Sequence, residues 1–180
     1  MKEYIAENLI QDSRFAKLYN SSDTAFQHTV TQALTKYIDE CSYKDEKNYG
    51  HLCNLLGCMA VYEALLQSGK STEECLDVIR HQMYSFVEPA RLANIEAAKK
   101  EHYIEDLKIE HKKQMEETYG IGWELEFPDC GEHEFTYLVK TCIYHETFKR
   151  YHYPELGPLF CKVDDILNGD LEKIDFSYTG

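Results

Sequence analysis

Two short stretches in the last third of the sequence concentrate side chains capable of covalent or proton-transfer chemistry. One reads Cys142-Ile143-Tyr144-His145, the other Pro154-Glu155-Leu156-Gly157-Pro158-Leu159-Phe160-Cys161-Lys162-Val163-Asp164-Asp165. Cys161 and Asp164 are three residues apart, a spacing that places both on one face of a helix. A thiol becomes a useful nucleophile when a base, a cation or a helix N-terminus favours its thiolate. Cys161 falls about two turns into its predicted helix, where the dipole helps little, so a base such as His145 or His152 has to be brought by the fold. Of the acidic pair, Asp164 is expected to join Cys161, while Asp165 points to another face and into solvent. A competing reading makes Cys161 a small buried hydrophobe, and Cys142, at a strand end, fits packing as well.

Cys142-x-x-His145 and Cys161-x-x-Asp164 also offer two pairs of ligands that could converge on zinc. The spacing matches no standard finger, and a carboxylate is unusual in a structural zinc site, so no metal and no cofactor are expected. The sequence has no Gly-rich phosphate loop, no His-Glu-x-x-His and no Gly-x-Ser-x-Gly. The other histidines, His28, His51, His81, His102 and His111, lack paired ligand spacing and read as surface or capping groups. Tyr144, Tyr151 and Tyr153 read as pocket lining or core.

The elements that must position these residues are mostly helical. Apolar residues at helical offsets predict helices over about 4–18, 23–41 and 47–67. The third is apolar round most of its circumference, which suits the middle of a bundle. Ser71-Thr72-Glu73-Glu74 is a capping-box sequence that opens a fourth helix to about Val87, where Glu88-Pro89 is expected to stop or kink it. A long polar helix is predicted from about 91 to 119. Alternation then predicts strands at 123–127 and 135–142. Two short helices follow at 143–151 and 155–167, and Ile174, Phe176 and Tyr178 alternate as a third strand. The expected fold class is α+β, an N-terminal helical bundle packed with a small antiparallel sheet flanked by short helices. No Pro/Gly/Ser-rich linker divides the chain, so residues 1–180 are expected to form one domain, mainly helical over 1–120 and sheet-containing over 121–180.

Composition narrows the function. The 180 residues carry 19 Lys+Arg against 32 Asp+Glu, a formal charge of −13. That surface repels nucleic-acid backbones and anionic membranes, and neither is expected as a partner. The start is too polar for a signal peptide, and the apolar run 52–66 is too short to span a bilayer. Seven cysteines without dense spacing read as reduced thiols, pointing to a cytoplasmic protein.

Phe135, Tyr137 and Val139, then Cys142-x-Tyr144, then Pro154-Glu155-Leu156-Gly157-Pro158-Leu159-Phe160-Cys161 and Asp164 together resemble the L-2-amino-thiazoline-4-carboxylic acid hydrolase family. The resemblance covers about 123–180, and the helical part matches only in general character. It implies a cytosolic bacterial enzyme that opens a small sulfur–nitrogen heterocycle with water to give an N-carbamoyl cysteine. The family pattern continues through Gly-Asp-x-x-Cys-Asp-Phe beyond Gly180, where this sequence ends. A shortened chain or a lost activity is the expectation that follows.

The reading that combines these observations is a hydrolase of a small sulfur/nitrogen heterocycle. Cys161 is its nucleophile, Asp164 the carboxylate that orients or shuttles protons, and His145 a base. Cys142 and Tyr144 contact the substrate. One alternative is a non-catalytic module that binds or senses a small molecule on the same fold; another is a partner-binding protein that docks through the polar helix 91–119. Oligomeric state is not legible in the sequence.

Overall fold

The computed structural model describes residues 3–131, 134–172 and 175–177. Eight α-helices, a 3-10 turn and a two-stranded antiparallel sheet make the described chain α+β, as expected. It divides into two compact units, one ending at Met83 and the other beginning at Tyr84.

In the first unit the expected opening helix is two helices, α1 (Ala6–Gln11) and α2 (Ala16–Ser21). Ser13 causes the break: its hydroxyl donates to the Ile10 carbonyl at 2.8 Å and accepts the Phe15 N–H at 3.1 Å. A short hydroxyl that bonds the local backbone competes with helical bonding in this way. α3 (Thr24–Glu40) opens on Asp23, whose carboxylate accepts the Phe26 N–H at 2.8 Å and caps a free donor. α4 (Tyr49–Gln67) is buried on nearly every side, with Leu52, Leu55, Leu56, Met59 and Tyr62 in the core against Leu9, Phe15, Leu34 and Tyr37. Gly57 permits that closeness, because a Cβ there would stand 3.2 Å from the Ser13 Cβ.

α5 (Thr72–Ala97) starts at the expected capping box, where Ser71 N–H donates to Glu74 at 2.8 Å. It then runs through Pro89 as one helix, so the expected stop does not occur there. The missing proline N–H is tolerated on an exposed face. The segment beyond Pro89 is fastened by side chains. Arg91 donates to Glu88 at 2.8 Å and to Asp170 at 3.0 Å, and Asn94 donates to the Leu167 carbonyl at 3.2 Å. The predicted polar helix 91–119 is correspondingly divided. Its first part belongs to α5, and α6 (Tyr103–Thr118) begins after a break at which Ala98, Tyr103 and Leu171 pack together.

β1 (Glu124–Glu126) and β2 (Leu138–Thr141) pair antiparallel, with Leu125 opposite Val139 and an irregularity after Glu124. β2 is shorter than expected, since 134–137 are not strand. α7 (Ile143–Arg150) follows, then the 3-10 turn Pro154–Leu156 and α8 (Gly157–Asn168). α8 therefore starts later than expected, and Cys161 lies about one turn inside it rather than two. Of the third expected strand, Asp175–Ser177 are not strand, and Ile174 and Tyr178 lie outside the described residues. No described helix is long and apolar enough to cross a membrane.

Candidate functional site

The candidate residues lie in the second unit and come together through the packing of α7 on α8. Phe160 of α8 stands 4.6 Å from Tyr144 and 5.4 Å from Phe148 of α7, centroid to centroid. Cys161 follows Phe160 directly, and Cys142 is the N-cap residue of α7, two positions before Tyr144. Cys142 is half-buried and Cys161 exposed, whereas Cys53 and Cys58 on α4 are fully enclosed.

Both thiols are held above their ordinary titration range. For Cys161 the cause is first burial of the sulfur and then the Asp164 charge, one turn along the same helix. Cys142 is raised by burial; the Tyr144 and His145 backbone amides at the α7 N-terminus offset this only in part, and Cys161 adds to the rise. Two phenols feel the same carboxylate. Tyr137 is pushed up to about 12 by burial and then Asp164. Tyr119 is raised further, by burial, Tyr137, Asp164 and Cys142. Tyr119, Tyr137, Cys142, Cys161 and Asp164 thus form one electrostatic group in which thiols and phenols stay protonated at neutral pH.

His145 is exposed on the first turn of α7, and among the described residues its imidazole has no hydrogen-bond, ion-pair or ring partner. Its link to the group is its backbone amide, beside the Cys142 sulfur. Asp165, expected in solvent, is half-buried and ion-paired with Lys162. His152 has φ 63° and serves the backbone between α7 and the 3-10 turn. Among the described residues no three His, Cys, Asp or Glu side chains are grouped so as to hold a metal ion.

Sequence reasoning missed Tyr119, Trp123 and Tyr137 as site residues. Tyr119 is the C-cap residue of α6, and its ring stacks on Trp123 at 4.3 Å; Trp123 lies 5.9 Å from Tyr144. His111 of α6 is 5.7 Å from Tyr137 and 5.8 Å from Phe135. The alternation around Trp123 and Tyr137 signalled strands, and nothing local tied these rings to Cys161.

The model of the L-2-amino-thiazoline-4-carboxylic acid hydrolase family matches residues 50–180. The match takes in the whole candidate site and reaches back through most of α4, well beyond the segment over which the motifs alone carried the resemblance. No curated protein and no solved structure matches the chain.

Proposed function

Because the chain belongs to the L-2-amino-thiazoline-4-carboxylic acid hydrolase family, we propose that it opens a small amino-thiazoline-type ring with water, using Cys161 as nucleophile and Asp164 as its proton acceptor. The observation that carries this reading is the exposed Cys161 thiol one helical turn from the Asp164 carboxylate, within the matched segment. The raised thiol dictates the order of events. With little thiolate standing ready, sulfur attacks the amidine carbon as its proton passes to Asp164. The carbon–sulfur bond of the ring then breaks, and the proton on Asp164 neutralises the departing ring sulfur. Water attacks the resulting enzyme-bound isothiourea, again losing a proton to Asp164. Collapse restores the Cys161 thiol and releases the N-carbamoyl thiol product. Atoms and charges balance without a metal or redox cofactor. Cys142 and Tyr144 line the approach, and His145, in solvent at the start of α7, exchanges protons with the medium.

The test compares turnover with thermal unfolding. Cys161→Ala should lower ring opening on the order of a hundredfold or more while moving the melting temperature little, since an exposed side chain leaves no large cavity. Cys41→Ala, at the end of α3 in the first unit, should retain turnover. Unchanged turnover in Cys161→Ala would overturn the nucleophile assignment. A second reading, a module that binds the same heterocycle without turnover, is favoured by one observation: neither thiol is prepared as a thiolate. Binding by the starting protein with no release of product thiol would establish that reading instead.

A further inference from the structure

Aromatic rings from three parts of the second unit meet beside the face of α8 that carries Asp164. Tyr119, at the end of α6, and Trp123 stack with centroids 4.3 Å apart and planes 29° apart. Trp123 lies 5.9 Å from Tyr144, and Tyr144 lies 4.6 Å from Phe160. Phe160 precedes Asp164 by four residues on α8, so the ring and the carboxylate share a face. All four residues are half-buried, neither enclosed in the core nor fully exposed. Aromatic faces carry the negative lobe of a quadrupole and attract cations, and a carboxylate adds a full negative charge that accepts paired N–H donors.

We propose that Tyr119, Trp123, Tyr144, Phe160 and Asp164 bind a flat organic cation of the amidinium class, its plane against the rings and its N–H groups on the Asp164 carboxylate. The proposal deepens the hydrolase reading and rests on it for the identity of the reacting centre. A protonated 2-amino-thiazoline presents an amidinium at the carbon that Cys161 would attack. The recognised handle is then the amidine and not the ring carboxylate, so substrates extend to 2-amino-thiazolines that lack a carboxylate. The phenol of Tyr119, held protonated by burial and by the Asp164 charge among others, stays neutral beside such a cation.

Trp123 is the single tryptophan of the chain, so its fluorescence reports on this surface directly. The full chain is titrated at neutral pH with 2-amino-thiazoline, a cation without a carboxylate, and with 2-methyl-thiazoline, a neutral ring of similar shape. The expected result is saturable binding of the amino compound at least about tenfold tighter than the methyl compound, and an Asp164→Asn variant that loses about tenfold for the cation alone. Asp164→Glu, which keeps the charge, should retain the preference and covers the case in which the Asn variant fails to fold. Equal affinity for the two rings, no saturation by 2-amino-thiazoline at millimolar concentration, or an unchanged preference in a folded Asp164→Asn protein would overturn the proposal. Release of product thiol is followed separately. Cation preference without ring opening would sink the hydrolase reading alone, and ring opening without cation preference would sink this one alone.

Discussion

Cys161 stands between two opposing features of its position. Exposure makes the sulfur reachable, while partial burial and the neighbouring Asp164 charge keep its proton on. In the proposed mechanism such a thiol is inert until Asp164 accepts its proton, which confines the chemistry to the moment a substrate is bound. The reverse case lies in the first unit. His51 of α4 is lowered to about 4 by burial and by the Arg14 cation beside it. In the unfolded chain it titrates near 6.5, so between these values the unfolded state binds more protons than the folded one. Stability is therefore complete above about pH 6.5 and falls as pH drops toward 4, by a few kcal/mol at most. Denaturant melts of the wild-type chain at pH 7 and pH 4.5 should show this loss. A folded His51→Gln variant should lose measurably less over the same interval; an equal loss would assign the acid sensitivity to other groups.

At the scale of elements, local signals were legible and long-range ones were not. α3, α4 and the Ser71–Glu74 cap follow directly from apolar spacing and capping chemistry, because a helix declares itself within a few residues. The Cys161–Asp164 pair was readable for the same reason. Pro89 does not stop the helix, because the tertiary ties of Arg91 and Asn94 hold the next turns helical. Tyr119, Trp123 and Tyr137 were invisible as site residues because they come from separate segments that only packing brings to α8. The end of α7 shows another cost of packing. Tyr153 N–H donates to the Phe148 carbonyl at 2.9 Å, closing a six-residue loop around His152 in the left-handed region at φ 63°. Glycine normally fills that position because it has no Cβ to clash. Replacing His152 with Gly should stabilise the fold by about 1 kcal/mol, read as a higher denaturant midpoint. A lower midpoint would mean that the imidazole makes contacts worth more than the backbone strain.

The whole molecule carries a formal charge of −13, and its exposed ion pairs do little to neutralise the field. Arg80–Asp77 lies within α5 and Lys99–Glu96 joins the end of α5 to the turn after it, each removing one charge of either sign and leaving the excess intact. Excess negative charge destabilises the compact state by self-repulsion, and salt screens it over a Debye length of about 8 Å at physiological strength. Raising sodium chloride from about 10 mM to about 150 mM should therefore raise the melting temperature by a few degrees, the shift expected for roughly 1 kcal/mol in a chain of this size. The same field draws cations inward. If the aromatic and carboxylate surface beside α8 takes an amidinium, screening should weaken that binding several-fold over the same salt range, with the loss mostly in the association rate. A neutral ring should show no such trend. One charge distribution thus predicts opposite responses, a more stable protein that holds its cationic ligand less well. Melting and fluorescence titration across a single salt series read both. Cation affinity that rose with salt would show that the net charge does not govern binding, and a melting temperature that fell would show that it does not govern stability.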